Sequence, residues 1–348
     1  MTAPTWPDIL TSLVDGGDLS PETARWAMGE ILTGNANPVH LAGFAVALRA
    51  KGETVDELTG LADAMLERAT PIELDTEAVD IVGSGGDRAN TVNISTMASV
   101  VAAAAGAKVV KHGNRAASSA SGSADCLEAA GVALNLPPQA QAEVLDQAGI
   151  AFLFAPHYHP SLRHAGPTRS QLGIRTVFNF LGPIANPARP AAQAIGVADE
   201  RVAALVAGVL SRRGNRGMVF HGKDGLDELT TTTTSQVWLF RDGRIVETVL
   251  DPADLGVRPA APADLVGGDP AHNAGVMREV FAGAQGPVRD IVVINAAAAL
   301  LAFHGPDLDA PIADQFRVQF KAAARAIDEG AASEVLERWV ALTSERAS

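Results

Sequence analysis

Apolar residues recur at helical spacing up to about residue 70 and form short strand-like runs only after residue 78, so the chain reads as a helical segment followed by an α/β one. Ser20-Pro21 supplies an N-cap with proline at the first helical position, Trp26, Met28, Ile31 and Leu32 follow, and Gly34 closes the helix. A second apolar-faced helix is predicted over 38–50, ending at Gly52. Thr54 and Glu57 have capping-box spacing ahead of Leu58, Leu61, Ala62, Met65 and Leu66, and Pro71 stops that helix. Such short helices bury too little surface alone, so this segment must pack on something else, a second copy of itself being one candidate.

Strands are predicted at 79–82, 108–110, 151–154, 192–197 and 218–221, with helices between them at 95–105, 123–130, 138–148 and 200–213. That alternation is the mark of parallel βαβ units. Asp242-Gly243 between 238–240 and 245–250 predicts a hairpin, because Asp-Gly supplies the positive φ of a tight turn. Thr230 to Thr234 read as β-prone backbone beside a site, 256–270 as an irregular connection, and the chain from Asn273 onward as mostly helical. The expected fold class is α/β: a small all-helical subdomain plus a large α/β domain with a mainly parallel central sheet and flanking helices.

Composition narrows the function. At 348 residues two domains are the default. The longest apolar runs, 97–107 with its Ser99 and 296–303, fall short of the roughly 20 residues of a membrane span, and the N-terminus lacks the basic and apolar regions of a secretory signal. A cytoplasmic protein with no membrane partner is expected. The net charge of −13 disfavours nucleic acid as a partner, although a locally basic pocket or a divalent metal can still hold a phosphate. The one cysteine, Cys126, lies in an apolar helical pattern and reads as a buried thiol, not a nucleophile.

Candidate chemistry concentrates between residues 80 and 131. Gly83-Ser84-Gly85-Gly86-Asp87 follows a strand and precedes Thr91, Asn93, Ile94, Ser95 and Thr96 at a helix entrance. Glycines let backbone N–H groups approach an anion, and a helix N-terminus adds unpaired donors. No lysine follows Gly86 as in a P-loop, and Arg88 breaks the dinucleotide fingerprint. Lys111-His112-Gly113-Asn114-Arg115 with Ser118, Ser119 and Ser121-Gly122-Ser123 reads as a second anion-holding turn, Ser123 capping the next helix. The two turns are expected at the same end of one sheet. Asp227-Glu228, taken by itself, reads as a solvated turn, and His157, His159 and His164 as lining or structural residues.

These motifs, with Leu172-Gly173-Ile174-Arg175-Thr176, Phe178-Asn179-Phe180-Leu181-Gly182-Pro183 and the late Asn295-Ala296-Ala297-Ala298-Ala299-Leu300, closely resemble the anthranilate phosphoribosyltransferase family over nearly the whole chain. One departure is Ser84, where that family usually has threonine. The resemblance implies transfer of a phosphoribosyl group from phosphoribosyl pyrophosphate to the amine of anthranilate, a step of tryptophan biosynthesis, by electrostatic stabilisation without a protein nucleophile. It implies that Gly83, Gly86, Asp87, Thr91, Asn93, Ile94, Ser95, Thr96, Lys111, His112, Gly113, Asn114, Arg115, Ala116, Ala117, Ser118, Ser119 and Ser123 hold phosphoribosyl pyrophosphate. Gly83, Asn114 and Arg169 would hold anthranilate, Arg169 gripping its carboxylate. Ser95, Asp227 and Glu228 would ligate Mg2+, two ions per monomer. It further implies a helical subdomain of 1–72 with about 167–187, a large domain of 73–348, substrates meeting at the hinge, and a homodimer through the helical subdomain. The competing readings are a pyrimidine nucleoside phosphorylase-like enzyme, which would carry Lys-His-Ser where this chain has Lys111-His112-Gly113, and a catalytically silent nucleic-acid-binding relative, disfavoured by the charge and the acidic pair.

Overall fold

The structure, a computed structural model, describes residues 4–116 and 120–347. The chain divides into two compact units: Met1–Pro71 with Ala155–Pro187, and Ile72–Phe154 with Ala188–Ser348.

The first unit is built on helices Trp6–Val14, Pro21–Thr33, Pro38–Lys51 and Val55–Glu67, joined by the helix Gly166–Leu172 of the returning segment. That segment starts at Ala155, ahead of the stretch near 167 at which the sequence places it. Thr70 ties the two pieces together, its N–H donating to the Tyr158 carbonyl at 2.8 Å and its hydroxyl to the His157 carbonyl at 3.0 Å. Ser20 caps its helix by accepting from the Thr23 N–H at 3.2 Å, and the Thr54/Glu57 capping box is reciprocal at 3.2 and 2.9 Å. The buried Glu57 carboxylate also accepts from the Leu19 N–H and from the Lys51 ammonium, each at 3.0 Å, so one capping side chain fixes three segments. Gly60 permits the closest crossing here, since a Cβ on it would lie 2.1 Å from the Pro21 carbonyl oxygen. Met28, Phe44, Leu48, Leu58 and Leu61 fill the core between these helices.

The second unit is a seven-stranded sheet: β1 (Val79–Gly83), β2 (Val109–Gly113), β3 (Ile150–Phe154), β4 (Ala192–Gly196), β5 (Arg216–Gly222), β6 (Ser235–Arg241) and β7 (Arg244–Leu250). Its order is β3-β2-β1-β4-β5-β6-β7; the first five are parallel, and β6 and β7 are antiparallel. The fold is the α/β class the pattern predicts, a helical N-terminal part and a mostly parallel sheet. Because β1 and β2 are parallel neighbours, the loops leaving them emerge at one edge of the sheet. Left-handed backbone at Asp242 and Gly243 closes the β6–β7 hairpin.

Three local expectations change. Lys111, His112 and Gly113 continue β2 instead of starting a turn, because each has a register partner on β3. Thr230 to Thr234 are irregular; β6 begins only at Ser235, since the threonine hydroxyls engage a loop carboxylate described below. The 256–270 connection contributes an antiparallel bridge, Val266 to Thr91. The helix Pro287–His304 is also long and apolar enough by composition to span a bilayer, although 72% of that window is buried inside the unit. Residues 291–302 are buried against the sheet and the helix Ile94–Ala104, and a helix covered on every side is apolar all round.

Candidate active site

β1 ends at Gly83, where a Cβ would lie 2.3 Å from Asp227 Oδ2; no larger residue fits beside that carboxylate. The loop then turns through left-handed backbone at Gly85, Gly86, Arg88 and Asn90. Gly85 N–H donates to Asp227 Oδ2 at 2.6 Å. The Ser84 hydroxyl accepts from the Ala198 N–H at 3.2 Å and so pins this loop to the end of β4, a bond that needs the oxygen and not the missing methyl. Asp87, half-buried, accepts from the Ala89 N–H at 3.3 Å, and Thr91 is held through its backbone by the Val266 bridge. The helix Ile94–Ala104 opens with Ile94, Ser95 and Thr96, all buried. Asn93 stands at its N-cap position but makes no capping bond; its side chain is engaged elsewhere, with Ser121 and Asn273.

The loop after β2 is organised by a residue the sequence reading missed. Asp125 accepts from the N–H groups of Ala116 and Gly122, both at 2.9 Å, and from Arg115 Nη1 at 3.0 Å. Gly122, not Ser123, is the N-cap, and Ser123 is the first helical residue; a serine three places before an acid would have signalled the box, but here the cap is glycine and gives no such mark. Gly122 has no room for a side chain, as a Cβ would sit 2.3 Å from the Ala116 nitrogen. Gly113 likewise abuts the Phe152 ring, at 2.8 Å from a hypothetical Cβ. Asn114 is exposed, its Oδ1 accepting from the Arg115 N–H at 2.7 Å. The Arg115 guanidinium folds back over the Phe154 ring onto Asp125 and Glu128, which hold its pKa above the ordinary arginine range. Ala117, Ser118 and Ser119 lie outside the described residues.

Asp227 and Glu228 are 8% and 7% exposed, and so do not form the solvated turn that two adjacent acids suggest when taken by themselves. Backbone packing puts them inside: a Cβ on Gly196 would lie 1.7 Å from the Asp227 carbonyl oxygen, and Ser95 N–H donates to Glu228 Oε1 at 3.1 Å. Burial and the neighbouring Asp87 charge push Asp227 up to about 7. Burial and Asp227 hold Glu228 well above the usual carboxylate range. The Lys111 ammonium is fully buried beneath them, donating to the Ile81 carbonyl and to Ser95 Oγ at 3.2 Å; burial lowers its pKa against the pull of Asp80, Glu228 and Asp227. Lys111 therefore places a positive charge among Asp80, Asp227 and Glu228 inside the unit. His112 is also buried, its N–H donating to Asp80 Oδ1 at 3.2 Å.

The donor set suits a hard divalent cation. Its oxygens come from two carboxylates and a hydroxyl, and Glu228 Oε2 is buried without a hydrogen-bond partner among the described residues. Among those residues no group of three or more Asp, Glu, His or Cys side chains forms a cage, so the pair alone does not complete a coordination shell.

The loop between β5 and β6 that carries the pair is braced by Asp224, which accepts from the hydroxyls of Thr230, at 2.6 Å, and Thr232, at 2.5 Å, and from the Leu226 N–H at 3.2 Å. Two of the five threonines thus serve a carboxylate and not a strand.

In the first unit, Arg169 lies on the helix Gly166–Leu172, half-buried, with its guanidinium 5.4 Å from the centre of the Phe178 ring. No carboxylate pairs with it among the described residues, and burial alone lowers its pKa. A cation left without a counter-ion on an aromatic face is suited to a planar carboxylate. His159 is buried, and its Nε2–H donates to the Ala185 carbonyl at 2.8 Å. His157 and His164 are exposed.

Comparison with known proteins accounts for both units. Residues 7–69 match a glycosyl transferase family helical bundle domain, and residues 75–333 match a glycosyl transferase family a/b domain. An anthranilate phosphoribosyltransferase of Arthrobacter sp. (strain FB24) is 56% identical over 97% of this chain and 96% of its own. The crystal structure of anthranilate phosphoribosyltransferase from Thermus thermophilus superposes with a TM-score of 0.89 at 39% identity, covering 97% of this chain and 99% of that one. The Saccharomyces cerevisiae enzyme in complex with PRPP and Mg has a TM-score of 0.87 at 25% identity, covering 99% of both chains.

Proposed function

Since this chain belongs to the anthranilate phosphoribosyltransferase family, we propose that it transfers the phosphoribosyl group of phosphoribosyl pyrophosphate to the amine of anthranilate, giving N-(5-phosphoribosyl)anthranilate. The bond from the anomeric carbon to the pyrophosphate oxygen breaks, a bond to the amine nitrogen forms, and pyrophosphate and one amine proton leave. The observation that carries this reading is the convergence, at one sheet edge, of the glycine-rich loop after β1 with the buried Asp227-Glu228 pair, joined through the Gly85 and Ser95 N–H groups.

Charge separation dominates the barrier, positive on the ribose and negative on the departing pyrophosphate, so fixed dipoles and positioning carry most of the catalysis. The left-handed turn at Gly85 and Gly86 would let the loop backbone approach the sugar's phosphates closely, supported by the start of the Ile94–Ala104 helix. Asp227, Glu228 and Ser95 would hold Mg2+, which supplies positive charge to the pyrophosphate oxygens. The same reading gives Arg169 the anthranilate carboxylate, two ions to each monomer, a homodimer through the helical unit and a place in the cytoplasm. Its exposed Val14, Val39 and Val46 support the pairing of two helical units. Cys126 is buried, with its thiol pushed up to about 12, which agrees with a reaction that uses no thiolate.

The test is direct: protein, anthranilate, phosphoribosyl pyrophosphate and Mg2+ are mixed and anthranilate fluorescence is followed. It is expected to fall only when all three small components are present, and constant fluorescence would falsify the assignment.

A further inference from the structure

We propose that Asn273 is a positioning residue that locks the Asn93 carboxamide in one orientation and thereby joins the two anion-holding loops into a single surface for phosphoribosyl pyrophosphate; the inference rests on the function proposed above.

Asn273 lies in the first turn of the helix Pro270–Phe281 and is 1% exposed. Its Nδ2 donates to Asn93 Oδ1 at 2.8 Å, and its Oδ1 accepts from the Gly268 N–H at 2.8 Å. Asn93 sits at the mouth of the first loop and reaches the second: its Oδ1 accepts also from Ser121 Oγ at 3.0 Å, and its Nδ2 donates to the Ser121 carbonyl at 3.1 Å.

Only one arrangement of these amides is self-consistent. Flipping Asn93 would set its oxygen against the Ser121 carbonyl and its NH2 against the NH2 of Asn273. Flipping Asn273 would set NH2 against the Gly268 N–H. The relay is therefore directional: Gly268 N–H to Asn273, Asn273 to Asn93, Asn93 to the second loop. Both lone pairs of Asn93 Oδ1 are used, and one Nδ2 hydrogen remains without a partner among the described residues, a donor held in place beside the anion loops.

Asn273 is itself part of a strap. Val92 N–H donates to the Leu265 carbonyl at 3.0 Å and Gly267 N–H to the Asn90 carbonyl at 2.8 Å, so residues 265–267 run as an antiparallel partner of the end of the glycine-rich loop. A Cβ on Gly267 would lie 2.8 Å from both Asn273 Oδ1 and the Val92 nitrogen, so strap, loop and asparagine pack without a spare atom. Asn90 has left-handed backbone, and the strap is what holds the chain on either side of that turn.

Asn273→Asp is the discriminating variant. It keeps an acceptor for Gly268 and replaces the donor to Asn93 with a second acceptor. Asn273→Asp is expected to raise the KM for phosphoribosyl pyrophosphate by about tenfold or more, equivalent to about 1.4 kcal/mol, while the KM for anthranilate stays within about twofold. Ser121→Ala, which removes the hydroxyl that donates to Asn93 Oδ1 and leaves the bond to the residue-121 carbonyl in place, should raise the same KM by less, and the double variant should cost less than the sum of the two.

Binding of phosphoribosyl pyrophosphate with Mg2+, measured by calorimetry, must weaken in parallel. A folded Asn273→Asp protein with unchanged affinity for phosphoribosyl pyrophosphate overturns the inference. Should that variant not fold, unchanged affinity in Asn273→Ala, which removes the donor to Asn93 without adding a charge, overturns it equally. Equal loss for both substrates would mean general disorder and would also count against it. A wild-type protein that neither reacts nor binds phosphoribosyl pyrophosphate would instead overturn the proposed function itself.

Discussion

Asn295 grips Leu229 from both sides: the Leu229 N–H donates to Asn295 Oδ1 at 3.0 Å, and Asn295 Nδ2 donates to the Leu229 carbonyl at 2.9 Å. Leu229 follows Glu228 directly, so a fully buried side chain on the Pro287–His304 helix sets where the acidic pair sits. Asn295→Ala leaves two buried backbone groups unpaired. A loss of about 2–4 kcal/mol is expected from two such bonds, read by thermal unfolding. The Mg2+ concentration for half-maximal turnover should rise as well, and a variant with lower stability but an unchanged Mg2+ requirement would show that Asn295 supports the fold alone.

Under the proposed function the acidic pair serves Mg2+ at the cost of stability. Two carboxylates share a buried site with Asp87 close by, and the Lys111 charge and the Gly85 and Ser95 N–H groups are set against their repulsion. Asp227→Asn combined with Glu228→Gln is expected to abolish Mg2+-dependent turnover while the metal-free protein keeps or gains thermal stability, by a few degrees for each ~1 kcal/mol of relieved repulsion. Unfolding scans in a chelator, with and without the substitutions, make the comparison. Wild-type-like activity at limiting Mg2+ would remove the pair from the metal site.

Arg169→Ala is expected to raise the KM for anthranilate by about tenfold to a hundredfold, the range for a charge-assisted bidentate contact of ~1.5–3 kcal/mol. The KM for phosphoribosyl pyrophosphate should change much less. Steady-state kinetics with each substrate varied in turn decides it, and equal effects on both would end the assignment.

His159 predicts a pH dependence of folding. Burial lowers its folded pKa below the unfolded value of about 6.5. Between those two values the unfolded chain binds more protons, so stability rises with pH there and is lost as pH falls below about 6.5, at up to ~1.4 kcal/mol per pH unit until the folded pKa is reached. His159→Gln can keep the bond to the Ala185 carbonyl without titrating. The drop in unfolding temperature between pH 7.5 and pH 5.5 should be smaller in that variant than in the wild type, and equal drops would exclude His159 as the source.

Helix boundaries were legible because their signals are local. The Ser20 cap, the Thr54/Glu57 box and the helix Pro138–Ala148 stand where the spacing puts them. The glycine-rich loop was legible for the same reason, as left-handed turns at Gly85 and Gly86 need glycine whatever surrounds them. Lys111 was misread as part of a turn because its register on β3 and its buried ammonium depend on β1, β3 and Ser95 closing around it.

Amino-acid sequence by itself determined the order of helices and strands, the parallel character of the sheet and the glycine-rich loop after β1, since each follows from periodicity or from backbone freedom within a few positions. Tertiary structure alone decided which of the candidate groups are available. It buried Asp227 and Glu228, turned Lys111 inward, folded Arg115 onto Asp125 and Glu128, and brought Asn273 to Asn93 across 180 positions of chain. The physical reason is that burial and hydrogen-bond partnership are set by segments distant in sequence, and no local pattern carries them.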